Sequence, residues 1–241
     1  MQIQVFQTAA QAAQAAAMLI AAQVIRKPNS VLGLPTGSTP IPVYHELVRM
    51  HRGGLVHFAG VTTFNLDEYC DLPGDHPCSY ARFMQEQLFD HVDIAKENTH
   101  LPSGTAADMA QEGLAYDAAI RQAGGIDLQL LGIGHNGHVG FNEPGGHFVY
   151  DCHVTELTAN TLEVNRRFFS SEAEMPRRAI TVGVGTIMAA QQIVLLATGA
   201  EKAEAICKSL RGDVTPELPA SILRTHSNVV YLLDEAAASG L

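Results

Sequence analysis

Short apolar runs rich in β-branched and aliphatic residues alternate along the chain with longer amphipathic stretches, a pattern that predicts strands separated by helices. Residues 2–6 read as a short strand. Thr8 can cap the Ala-rich segment after it, which should stay helical to about Arg26, before Pro28. Its alanines imply close approach to a sheet. Val31 to Leu34 reads as a buried strand running into Pro35-Thr36-Gly37-Ser38-Thr39-Pro40 and a helix to about Met50; an ordinary capped turn at that junction would take Thr39 as N-cap and Pro40 in the first turn. Val61 to Leu66 is a β-branched strand ending in Asp67-Glu68-Tyr69. Helices are expected over 79–90 and about 105–123, joined through turn signals at Asn98, Pro102 and Gly104, and further strands over 127–133, 179–184, 192–197 and 228–233. Thr198 to Lys202 opens a helix toward Leu210.

The polar stretch 155–178 has helical pieces but little continuous apolar face, so it reads as a cover over a site or a peripheral helical hairpin. The repeated strand and helix pattern implies an α/β fold: one domain over residues 1–241, with a mostly parallel, Rossmann-like sheet, helices on both faces and a helical lid at about 155–178. In such sheets ligands sit outside the C-terminal ends of the strands. The loops at 35–39, 67–69, 132–145 and 198–202 all follow predicted strands and can converge on one cleft.

Composition narrows what that cleft can hold. With 241 residues and 46% hydrophobic content the chain can bury a sizeable core, and no linker divides it. A formal charge of −10 without a basic run argues against a nucleic-acid surface, so any anionic ligand must be met locally. Cys70, Cys78, Cys152 and Cys207 form no CxxC pair, which suits free thiols in a reducing cytosol. The most apolar N-terminal stretch, Ala9 to Ile25, is interrupted by Gln11, Gln14 and Gln23 and resembles neither a signal peptide nor a membrane span. These features predict a cytoplasmic protein.

The candidate chemistry centres on Gly132 to Gly145. Glycines at 132, 134, 137 and 140 give the backbone turning freedom, while His135, His138 and Glu143 supply proton-transfer groups. The junction at residues 35–40 points backbone N–H groups and hydroxyls at a helix N-terminus, which favours phosphate over an ordinary capped turn only in company with other signals. Lys202 is one such signal: a cation in a first helical turn opposes the helix dipole, and a bound anion would remove that conflict. Of the adjacent Asp67 and Glu68, successive positions on an extended segment, one is expected to face the cleft and the other to be structural. A metal site from His135, His138, His147 and His153 is permitted by spacing, but a Gly-rich loop lacks the helical geometry that makes such spacing diagnostic.

Four stretches in order, Leu34-Pro35-Thr36-Gly37-Ser38-Thr39-Pro40, Phe64-Asn65-Leu66-Asp67-Glu68-Tyr69, Gly134-His135-Asn136-Gly137-His138 with Phe141-Asn142-Glu143-Pro144, and Thr181-Val182-Gly183-Val184-Gly185-Thr186, resemble the glucosamine-6-phosphate deaminase family of sugar-phosphate isomerases and deaminases. The resemblance implies conversion of glucosamine 6-phosphate and water to fructose 6-phosphate and ammonia, without metal or other cofactor. It implies His138 for ring opening, Asp67 as the base that moves the C2 proton to C1, and a phosphate clamp from Thr36, Gly37, Ser38, Thr39, Arg167 and Lys202. Where longer members carry an Asp, this chain has Asn136, so Glu143 alone is expected to orient and charge His138, with Asn136 in an orienting role. The chain is also shorter at its C-terminus, and Gly146 to His153 lacks the family's effector-binding residues, so no activation by N-acetylglucosamine 6-phosphate is expected. The alternatives are a galactosamine-6-phosphate deaminase, a 6-phosphogluconolactonase sharing the Gly-x-Gly-x-x-Gly-His loop, and a sugar-phosphate sensor without catalysis. Phe141-Asn142-Glu143-Pro144 and the Asp67-Glu68 pair separate the chain from the lactonase, and the sensor would need an output module that the sequence does not display. The sequence leaves monomer and homo-oligomer equally open.

Overall fold

The structure is a computed structural model and describes residues 1–166, 169 and 174–241. In chain order the elements are β1 (Gln2–Phe6), α1 (Ala9–Arg26), β2 (Val31–Leu34), α2 (Ile41–Arg52), β3 (Thr62–Asn65), β4 (Asp67–Tyr69), α3 (Tyr80–Gln87), β5 (Thr99–His100), α4 (Met109–Gln122), β6 (Leu128–Leu131), β7 (His153–Glu156), α5 (Ala159–Asn165), β8 (Arg178–Thr181), α6 (Val184–Met188), β9 (Gln192–Ala197), α7 (Ala203–Arg211) and β10 (Val229–Asp234). A seven-stranded sheet runs β1-β10-β9-β6-β2-β3-β5, parallel throughout.

Parallel strands need crossovers, and the crossovers here bury both faces of the sheet. Leu128, Leu130, Val194, Leu196, Val230 and Leu232 face the apolar sides of α1 and α2. Their alternate neighbours Leu131, Ile193, Leu195, Val229, Tyr231 and Leu233 meet Tyr116 and Ile120 of α4 and Ala205, Ile206 and Leu210 of α7. The α1 helix starts where expected: Thr8 and Gln11 form a reciprocal capping box. Its buried Ala12, Ala13, Ala16, Ala17 and Ala21 let the helix lie close to the strands. Its end is pinned by Lys27 Nζ, 2.8 Å from the buried Asp127 carboxylate, which also accepts the Val31 N–H.

Several boundaries differ from expectation for identifiable reasons. Thr39 is not the cap of α2. The N-cap is Pro40, with no side-chain cap bond and a proline in the first turn, so the turn has fewer N–H groups to satisfy and Thr39 is left to the cleft. Helix α4 begins at Met109, because Asp108 accepts from the N–H groups of Ala110 and Gln111. Residues 67–69 do not prolong β3. They form β4, which leaves the main sheet and pairs antiparallel with β8, itself paired with β7, in a second sheet of order β4-β8-β7. The apolar run 179–184 is therefore divided between the second sheet and the start of α6. The stretch expected as a helical lid opens instead as strand β7, and only α5 supplies helix within its described residues. No helix among the described residues is long and apolar enough to cross a membrane.

Candidate active site

From β2 the chain proceeds to β3 and β5 on one side, then returns through β6, β9 and β10 on the other. The loops after β2 and β6 consequently diverge, and the cleft between them is the topological switch point where ligands bind in open parallel sheets. Thr36, Gly37, Ser38 and Thr39 line it from the first loop, and His135, His138 and Phe141 from the second. Asp67 at the start of β4, Tyr80 of α3, Thr161 of α5 and Lys202 complete the wall.

The first loop turns at Gly37, whose φ of 95° is a left-handed conformation that suits glycine. The buried Tyr44 hydroxyl donates to the Pro35 carbonyl and fixes the loop to α2. Lys202 ends a 3-10 turn and stands at the N-cap of α7, one position before the first helical turn in which it was expected. The turn is held because the Gly199 N–H donates to both Asp234 carboxylate oxygens at 3.1 Å. The loop's hydroxyl residues Thr36, Ser38 and Thr39 and the Lys202 side chain thus line one mouth of an otherwise acidic protein.

In the second loop, the His138 ring lies so close to Gly134 that a Cβ there would stand 2.4 Å from Cε1. Any side chain at 134 would displace the ring. His138 Nδ1 is 3.3 Å from Glu143 Oε2. An ionised carboxylate only accepts, so Nδ1 carries the proton and Nε2 is left for proton exchange. The Asn136 amide donates to the same Oε2 at 2.7 Å, and the Thr161 hydroxyl donates to Oε1. Burial pushes the Glu143 carboxyl up, but the hydrogen bonds and charge of His138 with the donors Thr161 and Asn136 outweigh it and hold the group below its ordinary value. Glu143 and Asn136 therefore stand behind His138, outside the cleft wall itself.

Asp67 and Glu68 divide as alternation requires. Asp67 faces the cleft and is 6% exposed. Burial first, and the neighbouring Glu68 charge second, push its carboxyl from 3.8 up to about 8. Glu68 turns the other way and accepts from the backbone N–H groups of Tyr69, Tyr80 and Ala81 at 2.8–2.9 Å, closing the N-terminus of α3. Thr181 and Val182 brace the cleft wall from behind: Thr181 pairs with Asp67 across the small sheet and accepts the Phe141 N–H, while Asn142 Nδ2 bridges the carbonyls of Val139 and Val182.

The residues singled out in the sequence thus converge, with Arg167 lying outside the described residues. His147 and His153 line a separate cavity from His135 and His138. His135 itself is a wall residue, held below its ordinary value by partial burial and by the nearby Lys202 charge. Thr161, Tyr80 and Phe141 were not anticipated as cleft residues. The first two come from separate helices and carry no local motif, while Phe141 was visible only as part of the Phe-Asn-Glu-Pro run.

A model of the family described as glucosamine-6-phosphate isomerases/6-phosphogluconolactonase matches residues 5–232. The chain is 51% identical over 226 residues to a protein named glucosamine-6-phosphate deaminase from Clostridioides difficile (strain 630), an alignment covering 94% of this chain and 91% of that one. It superposes with a TM-score of 0.97 and 41% identity, over 100% of both chains, on a solved structure described as a monomeric glucosamine-6-phosphate deaminase. A 6-phosphogluconolactonase from Trypanosoma cruzi, 20% identical with a TM-score of 0.79 over 100% of this chain and 96% of that one, shares the fold. By the extent of the family match and the identity to its deaminase relatives, the chain belongs to the glucosamine-6-phosphate isomerase/6-phosphogluconolactonase family.

Proposed function

We propose that this protein is a glucosamine-6-phosphate deaminase that converts glucosamine 6-phosphate and water to fructose 6-phosphate and ammonia, serving amino-sugar catabolism in the cytoplasm. The observation that carries the reading is the meeting of a buried carboxylate, a carboxylate-backed histidine and a phosphate-compatible rim in one cleft. Each group has a step. The Gly37-Ser38-Thr39 loop and Lys202 hold the phosphate through backbone N–H groups, hydroxyls and one charge-assisted bond. His138 passes a proton to the ring oxygen as the C1 hydroxyl loses one, opening the pyranose, with Glu143 balancing the imidazolium that forms transiently. Asp67 then removes the C2 proton from the open-chain aldose and returns it at C1. The product is a C2 imine, which water hydrolyses with loss of ammonia.

Burial suits Asp67 to this task, because a carboxylate whose protonated form is stable near neutrality can both lift and return a proton. Lactone hydrolysis would ask no residue to remove a carbon-bound proton, and the cleft-facing Asp67 therefore favours the deaminase. Asn136 serves as an orienting donor to Glu143 in place of a second carboxylate. The α5 helix brings Thr161 to the cleft. The test is ammonia release and fructose 6-phosphate formation from glucosamine 6-phosphate beside its galacto epimer and 6-phosphogluconolactone, with Asp67→Asn as control. Turnover of the gluco substrate lost in the variant supports the proposal, and lactone hydrolysis without ammonia release refutes it.

A further inference from the structure

At the end of the sheet remote from the cleft, α2 carries His51 as its penultimate residue, and the chain turns back at once through Gly53 and Gly54 to present His57 beside it. Asp93, from the segment leading to β5, lies against both. One ligand atom from each of the three lies within 4.8 Å of the others. We propose that His51, His57 and Asp93 bind a divalent transition-metal ion of the Zn2+ class. The separations are those of a coordination shell: His57 Nδ1 is 3.2 Å from Asp93 Oδ2, and His51 Nδ1 is 3.5 Å from Asp93 Oδ1. A tetrahedral site with bonds of ~2.0–2.1 Å has ligand-to-ligand edges of roughly 3.3 Å, close to both histidine–carboxylate separations, while the two histidine donors lie within 4.8 Å of each other and would close up on binding.

The surroundings support the site independently. The two imidazoles meet edge-on, with centroids 5.7 Å apart and planes at 87°, so the rings pack without stacking face to face. The Phe58 N–H donates to Asp93 Oδ1 at 2.6 Å, the kind of outer bond that fixes a ligating carboxylate. His51 Nδ1 also faces the Val56 carbonyl at 3.0 Å, and taking the Nε2–H tautomer frees Nδ1 for the metal at the cost of that contact. Two imidazoles with one carboxylate select Zn2+, Co2+ or Ni2+ over Mg2+ or Ca2+. The His57 side chain is 68% exposed, leaving the remaining position to water. The bound ion would tie the end of α2 to the chain entering β5 and raise the stability of that corner.

The test uses metal-stripped full-length protein titrated with Zn2+ by calorimetry and with Co2+ by visible absorption, alongside His57→Ala. His57 is exposed enough for the variant to fold. One saturating equivalent in the wild type, at least tenfold weaker binding in the variant, and a Zn2+-dependent rise in melting temperature confined to the wild type would support the site. Equal affinity in both proteins, or no saturable binding below millimolar metal, overturns it.

Discussion

Asp67→Asn is expected to cut turnover sharply and to stabilise the fold, by an amount that grows with pH. The carboxyl titrates at about 8 in the folded protein against an ordinary 3.8. Below pH 4 it is protonated in both states and costs nothing. As pH rises, the unfolded chain ionises first, so folding loses about 1.4 kcal/mol per pH unit until the folded carboxyl also ionises. Across the window from 3.8 to about 8 the accumulated penalty is about 6 kcal/mol, and about 4 kcal/mol is already present at pH 7. An asparagine carries no titrating proton and escapes the penalty, although its amide can surrender roughly 1–3 kcal/mol if it lacks partners. Urea or thermal unfolding of both proteins at pH 4.5 and 8.5 should therefore show near-equality at the acid end and a gain of a few kcal/mol for the variant at the alkaline end. A stability difference independent of pH, or a variant weaker at pH 8.5, would refute the account of Asp67 as a desolvated carboxyl. Turnover should fall by roughly 10²–10⁴, the range for loss of a positioned proton-transfer group.

The wild-type kcat/KM should rise with pH along an acid limb near 8, as Asp67 becomes ionised in the free enzyme; a flat profile from 6 to 9 would remove it as the base. Glu143→Gln keeps the shape behind His138 but not the charge, and steady-state assays should show kcat reduced about 10²-fold with KM little changed. Thr161→Val deletes one donor to Glu143, so stability that depends on the lowered carboxyl should be lost sooner as pH falls; acid titrations of wild type and variant should separate by about 1 kcal/mol, and coincident curves would show that the hydroxyl contributes nothing. Lys202→Ala should raise KM for phosphorylated substrate by about tenfold or more while changing kcat less, and an unchanged KM would exclude Lys202 from the phosphate rim.

Much of this architecture was readable because its causes are local. The cap at Thr8, the ending before Pro28 and the β-branched strand within 61–66 each follow from neighbouring residues, and the structure adds the reciprocal bond from Gln11. The cleft was readable for another reason: its loops follow strand ends, and the fold gathers strand ends. What was hidden depends on distant partners. The run from Val61 to Tyr69 gives no local mark of the point where it leaves one sheet for another, since the antiparallel partner of Asp67 is Thr181. Likewise Thr161 meets Glu143 from 18 positions away, through a helix whose sequence reads only as a polar lid. Asn136 is the intermediate case. Its position beside the histidine was plain in sequence, while its donation to the same carboxylate oxygen that faces His138 needed coordinates.

The cap that Glu68 places on α3 also constrains how the carbon-to-carbon proton transfer can proceed. Asp67 is anchored on one side by pairing to β8 and on the other by a neighbour whose carboxylate is committed to three backbone N–H groups. Moving the main chain at 67 would draw Glu68 away from the Tyr80 and Ala81 N–H groups, so a base at Asp67 would be left chiefly its own side-chain torsions. With Asp67 as the proposed base, the travel between C2 and C1 would fall to the sugar, pivoting about a phosphate held at the opposite wall. The enzyme in this view is a fixed anvil, and the flexibility required by its chemistry is created in the substrate when the ring opens.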